Sequence, residues 1–348
     1  MALVMVQGHV FDGLLTPESR AESLYRLQVI VHGSTAPGFL FASGFVAGLP
    51  RAPLSLRASL RRARRLLFIL GVGYALHLPY LSLAKTIAAA TATERTALFA
   101  CHALQVIAVS QLVVLLVQWI VGRRWTIATG LLAVLVLVAG PFVWGGRLST
   151  RVPPALGAYL DDSTGSPFPV FPYSAFVLAG TVAGAALGRQ DERVRRRRSL
   201  VWGTLLVAAG ALVALPLAGA VGFWGVSPAY ALVRLGGLLL LLQLVEREVA
   251  RDRPLVRPLA LLGHETLLVF VFHLYLLFGG VLGPAPMGAL LGQLGFFGAS
   301  VTLVSMTPVL LAVAWAWHRV KMLAPHEASL ALAFVTTLFV YEFATRPW

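Results

Sequence analysis

Residues 98–145 read LFACHALQVIAVSQLVVLLVQWIVGRRWTIATGLLAVLVLVAGPFVWG. Two apolar stretches, 98–121 and 125–145, are divided only by Gly122, Arg123 and Arg124. At about 1.5 Å of rise per residue, each is long enough as a helix to cross a hydrocarbon core of about 30 Å. The two arginines between them mark the side of the membrane that keeps positive charge. The rest of the chain has the same texture. Of 348 residues, 58% are hydrophobic and 12% charged, with mean hydropathy +0.81. A soluble domain carries about 45–50% apolar and about 25% charged residues. The composition therefore excludes a soluble enzyme, a disordered chain and a secreted disulfide scaffold. The single cysteine, Cys101, excludes an internal disulfide framework and a cysteine-clustered zinc site. The net charge of +14 would suggest nucleic acid in a soluble protein. Basic cytoplasmic loops explain it here, and no nucleic-acid partner is expected.

The expected fold is all-α: a polytopic membrane helix bundle forming one transmembrane domain over residues 1–348, with the N-terminus cytoplasmic. Eleven spans are read, at 1–15, 28–49, 66–83, 98–121, 125–145, 170–188, 200–223, 229–245, 259–281, 297–317 and 328–345. On that orientation 20 of the 28 Lys and Arg residues fall inside and 7 outside, among them Arg51 inside and Arg147 outside, with Arg234 in a span. The tryptophans agree. Trp119, Trp125, Trp202, Trp315 and Trp317 fall at inner span ends, and Trp144, Trp224 and Trp348 at outer ends. No internal repeat supports a transporter of inverted halves. The first span, at about 22 Å, is short for the membrane. The expectation is that the true start lies upstream and that part of the first helix is missing.

Polar groups inside a membrane are costly, so each asks for a reason. His9, Asp12, His32, His77, His102 and His273 all fall at mid-depth or in the outer half of their spans. His9 and Asp12, three apart, share a helix face, so a carboxylate there can orient an imidazole as a general base. The alternative is an interfacial Asp and a histidine bonded to a neighbouring helix. His32 opens the string His32-Gly33-Ser34-Thr35-Ala36-Pro37-Gly38, in which Gly and Pro loosen the backbone and free amides for a ligand. It reads equally as a kinked helix with a satisfied histidine. His77 and His102 read first as helix-to-helix hydrogen bonds and second as substrate contacts. His264 and Glu265 fall near the inner end of the ninth span, and His273 follows Glu265 by eight residues, so the last two can line one tunnel. Arg234 either pairs with an outer acid or snorkels to the interface. Phe168 and Tyr173 belong to a proline-rich stretch, residues 166–173. Their rings suit stacking on a sugar or acyl group, or a stiff interfacial turn. Arg61, Arg62 and Arg65 belong to a basic loop that suits the phosphates of coenzyme A, or serves topology alone. No P-loop, GxSxG, HExxH or dinucleotide fingerprint appears in the needed context, and no metal site is expected.

Four strings, taken in order, carry a resemblance. They are residues 5–12 (MVQGHVFD), 32–44 (HGSTAPGFLFASG), 168–176 (FPVFPYSAF) and 267–274 (LLVFVFHL). The pattern, over roughly residues 1–280, resembles the bacterial relatives of heparan-α-glucosaminide N-acetyltransferase, within the transmembrane acyltransferase superfamily that includes the acyltransferase-3 proteins. The resemblance implies a ten- or eleven-helix enzyme moving an acyl group from cytoplasmic acyl-CoA, such as acetyl-CoA, to a sugar hydroxyl or amine on the far side. It implies that His9 is the catalytic histidine near the outer end of the first helix. Acyltransferase-3 members also carry an arginine about ten residues earlier, a place that falls before Met1. On this reading His9, oriented by Asp12, is the general base, with a covalent acyl-histidine as the alternative. Groups around His32 and Ser34 stabilise the oxyanion. His77, His102, Phe168, Tyr173, Arg234 and His273 line the acceptor path. A small-molecule or lipid-linked sugar transporter without covalent chemistry is the rival class, and a structural partner in envelope synthesis a third. The Arg-rich loops suit a bacterial inner membrane.

Overall fold

The computed structural model describes residues 1–50, 55–145, 148–214, 226–251 and 253–347. The helices in chain order are α1 (Ala2–Leu14), α2 (Pro17–Ala21), α3 (Ser23–His32), α4 (Thr35–Gly48), α5 (Leu56–Ala75), α6 (Leu83–Ala89), α7 (Ala92–Phe99), α8 (Ala103–Val121) and α9 (Trp125–Gly145). There follow α10 (Pro154–Gly157), α11 (Val170–Leu187), α12 (Glu192–Ala214), α13 (Pro228–Ala250), α14 (Val256–His264), α15 (Thr266–Phe278), α16 (Phe296–Leu323) and α17 (Pro325–Thr345). Among the described residues there is no strand, and the chain is a polytopic membrane helix protein.

Among the described residues six helical segments are long and apolar enough to cross a bilayer, or seven if the bent pair α14 and α15 makes one span. The difference from eleven has local causes. α1 and α4 are apolar but only 13 and 14 residues long. The first half of α5 is rich in arginine and the helix ends at Ala75. α8 and α9 form one 43-residue apolar segment. Its joint is Gly122 at φ +60°, a left-handed conformation that glycine adopts without strain. The outer part of the 200–223 span lies outside the described residues, as do Arg51, Arg147, Trp224 and Trp348.

The chain divides into two compact units. One comprises Ala36–Ala75 and Arg95–Ala250. Its core gathers Leu40, Phe41, Val106, Val136, Phe176, Leu178 and Leu238. α11 packs on α8, α9 and α13, while α12 pairs with α13. α4 and α11 meet backbone to backbone. A Cβ on Gly44 or Gly48 would run into the carbonyl oxygens of Val177 or Thr181. One on Gly180 or Gly184 would run into those of Phe41 or Phe45. Two glycines four apart on each helix thus form the contact, as small residues do where helices meet in lipid. Hydroxyls in this unit turn back onto their own helices, as with Ser174 to the Val170 carbonyl and Thr181 to the Val177 carbonyl, each at 2.8 Å. Leu116, Ile120, Ile127, Leu131, Leu135 and Phe142 are exposed, the apolar faces that lipid covers.

The other unit comprises Met1–Thr35, Leu76–Glu94 and Arg251–Trp348. α1 is its hub and packs against α3, α14, α15 and α16. The short α1 ends on protein. Gly292 N–H donates to the Gly13 carbonyl at 2.9 Å, Leu294 N–H to Leu14 at 2.8 Å, and Thr16 N–H to Leu294 at 2.9 Å. Carbonyls that an apolar helix end leaves open are satisfied by the passing loop. Gly292 sits there at φ +67°.

The ninth expected span is broken. α14 and α15 meet at 83°, with Glu265 between them at φ −101°, ψ 26°. Its carboxylate is 3% exposed and accepts from Lys321 Nζ at 2.6 Å, with His318 Nδ1 at 2.9 Å. Both partners stand on α16, so the break is where an acid leaves its own helix axis for two bases on the next. Lys321→Met leaves that carboxylate one base short. The expected loss is about 1–3 kcal/mol, because Lys321 itself stays partly solvated. Thermal unfolding in detergent reads it, and an unmoved midpoint would mean that the pair contributes no stability.

Candidate active site

Three imidazoles and one carboxylate gather around the C-terminal half of α1. His9 and Asp12 lie on one face of that helix, and Tyr25 and His32, seven apart, on one face of α3. The Tyr25 hydroxyl donates to Asp12 Oδ1 at 2.9 Å, and His32 Nε2 lies 3.5 Å from Asp12 Oδ2. Burial, and then the hydrogen bond and charge of Asp12, push the Tyr25 phenol above its ordinary value, so it remains a donor at physiological pH. The Asp12 side chain is 40% exposed, which screens its charge. Gly8 lets His32 approach: a Cβ on Gly8 would fall inside the imidazole of His32. His32 Nδ1 is buried without a hydrogen-bond partner. That leaves Nε2 as the nitrogen that gains most from carrying the proton, toward Asp12.

His9 turns to α15. Its Nδ1 lies 2.8 Å from His273 Nε2, and the rings meet edge to edge, with centres 5.1 Å apart and planes inclined by 24°. His273 is fully buried, and its other nitrogen, Nδ1, lies 2.7 Å from the Val269 carbonyl oxygen. His32 stands edge-on to His9 at 6.0 Å, and Phe270 at 6.4 Å. The orientation that Asp12 was expected to give His9 is thus supplied from another helix, while Asp12 engages Tyr25 and His32. The three-residue spacing did put the two side chains on one face. It could not tell which neighbouring helix each would meet.

The remaining candidates divide between the units. Ser34 lies in the turn between α3 and α4, and His77 in the turn after α5, both in the unit that holds His9. The other unit holds His102, which precedes the first turn of α8, and Arg61, Arg62 and Arg65 on α5. In it also Phe168 and Tyr173 pack edge to face at 5.2 Å, and the Arg234 guanidinium lies 4.3 Å from the centre of the Tyr230 ring. Trp144 Nε1 donates to the Phe171 carbonyl at 2.8 Å, where α11 departs from helical geometry in the proline-rich stretch. Sequence reasoning missed Tyr25 and gave Gly8 no role of its own. The spacing of Tyr25 and His32 was a usable signal, because both fall on a helix side shared with no other titratable group of α3.

A model of the acyltransferase-3 family, described as an acyltransferase domain, matches residues 1–319. The chain belongs to the acyltransferase-3 family. The histidine cluster therefore lies within an integral membrane acyltransferase. No curated protein and no solved structure matches this acyltransferase-3 chain in the comparisons made with them. The match begins at residue 1, on the helix that carries His9, and ends inside α16, so α17 lies beyond it.

Proposed function

We propose that this acyltransferase moves an acetyl or other short acyl group from cytoplasmic acyl-CoA to a sugar hydroxyl or amine at the outer face of a bacterial inner membrane. It would stand near the bacterial relatives of heparan-α-glucosaminide N-acetyltransferase. The observation that carries the reading is the gathering of His9, His32, His273 and Asp12 on and around α1 in a chain of this family. A membrane interior tolerates such a group of titratable side chains where it has chemistry to do. The His9 imidazole takes the proton of the acceptor O–H or N–H. The acceptor atom bonds to the thioester carbonyl carbon, the C–S bond breaks, and CoA leaves as a thiolate that receives a proton. His32 and the turn at Ser34 offer groups for the oxyanion. Arg61, Arg62 and Arg65 are suited to the CoA phosphates by charge and by their fork geometry. Phe168, Tyr173, Arg234, His77 and His102 are assigned to the acceptor path.

The test is binding of acetyl-CoA by the purified chain in detergent, and its cleavage with glucosamine, which offers both hydroxyls and an amine, as acceptor. A ligand at about 100 times its Kd adds about 2.7 kcal/mol of stability. A saturable rise in unfolding temperature, with release of free CoA thiol, is the expected result. A chain that acetyl-CoA does not stabilise and that releases no CoA with the acceptor present, but that moves sugar across liposomes unaltered, would be a transporter.

A further inference from the structure

We infer that His273 is a positioning residue that fixes which nitrogen of His9 acts as the base. The inference rests on the acyl-transfer reading and adds an atom-level assignment to it. A carbonyl oxygen only accepts, so His273 Nδ1, 2.7 Å from the Val269 carbonyl, carries the hydrogen. In the neutral ring the other nitrogen, Nε2, is then a lone pair. That lone pair faces His9 Nδ1 at 2.8 Å. Two lone pairs would repel there, and two N–H groups would collide, so His9 Nδ1 carries a hydrogen and donates it. Neutral His9 is left with its lone pair on Nε2, the nitrogen turned away from His273. The backbone of α15 thereby sets the tautomer of a ring on α1 through one intervening imidazole.

The burial of His273 makes this selection firm. The ring is fully buried, so water does not compete for either nitrogen. The ring centres are 5.1 Å apart and the planes are inclined by only 24°, so the two rings lie nearly coplanar, edge to edge, with the bonded nitrogens on the line between them. His32 and Phe270, both edge-on to His9, bound the ring on other sides. A residue that merely filled space between α1 and α15 would need the volume of an imidazole but not its acceptor.

The test separates those roles in the full chain in detergent, by CoA release from acetyl-CoA with glucosamine as acceptor. His273→Leu keeps bulk without an acceptor. His273→Gln brings an amide oxygen close to the place of Nε2, where it can accept from His9. Expected is a fall in kcat of roughly a hundredfold for His273→Leu, with the KM for acetyl-CoA little moved, and recovery of most of the rate in His273→Gln. Equal losses in the two variants, or an unimpaired His273→Leu, would overturn the assignment. Nitrogen-15 spectra of the histidine side chains read the tautomer directly. His9 should show a protonated Nδ1 and a bare Nε2 in the unaltered chain, and a mixture in His273→Leu. If His273→Leu does not fold, the spectrum of the unaltered chain decides alone, and an Nε2–H form of His9 there sinks the idea. Absence of CoA release by the unaltered chain would instead remove the acyl-transfer reading, while the spectrum still judged the hydrogen-bond relay.

Discussion

Replacing His9 by alanine is expected, on the proposed acyl transfer, to lower CoA release from acetyl-CoA in the presence of acceptor by about 10²–10⁴-fold, the range that a positioned general base contributes. The variant should still fold. His9 lies on a helix whose packing positions are taken by apolar neighbours, since Met5, Val6, Val10 and Leu14 are all buried. The imidazole contributes edge contacts to His32 and Phe270 and one hydrogen bond, and Ala is a better helix former than His. The informative result is therefore a collapse of the rate at a nearly unmoved unfolding temperature. A rate close to that of the unaltered chain would take His9 out of the chemistry and leave His32 as the next base to test. It is the largest effect on activity expected from any single change in this chain.

The largest effect on stability is expected at the contact of α4 and α11. Gly180→Ala places a Cβ against the carbonyl oxygen of Phe41, which is main chain and cannot swing aside. The two helices must separate, and Gly184, one turn on, makes the same approach to Phe45. Forced separation of a packed pair costs about 2–3 kcal/mol. Gly237→Ala is the matched control. Gly237 lies inside α13 with open space where its Cβ would stand. There the change should stabilise by about 1 kcal/mol through helix propensity alone. Opposite shifts of the unfolding temperature in the two variants are expected. Equal shifts would mean that glycine is used on α11 for flexibility and not for close approach.

The membrane class and the all-helical fold were legible in runs such as residues 98–145, because hydropathy and length act locally. The number of crossings was less so. The 259–281 run is apolar apart from His264, Glu265, Thr266, His273 and Tyr275, and nothing within it says that Glu265 will leave the helix axis. That decision belongs to His318 and Lys321, more than fifty residues away. The same holds at the site. His9, His32 and His273 could each be singled out as costly polar groups. The bond between His9 and His273 joins residues 264 positions apart, and a single sequence carries no mark of it. Asp12 was drawn to His9 by spacing on one helix. Its partners came from α3, because Tyr25 and His32 meet it across the helix pair.

The loop that closes the C-terminal end of α1 does so with main-chain atoms: the amides of Gly292 and Leu294, and the carbonyl of Leu294. Such bonds are indifferent to side-chain identity, provided that proline does not take the donor positions and that glycine stays at 292, where φ is +67°. The anchoring of the histidine helix is thereby uncoupled from the composition of this loop. Mutations can accumulate along residues 281–291 without loosening the geometry around His9. A lineage under pressure to take a new acceptor could therefore explore that segment, with the histidine cluster held constant.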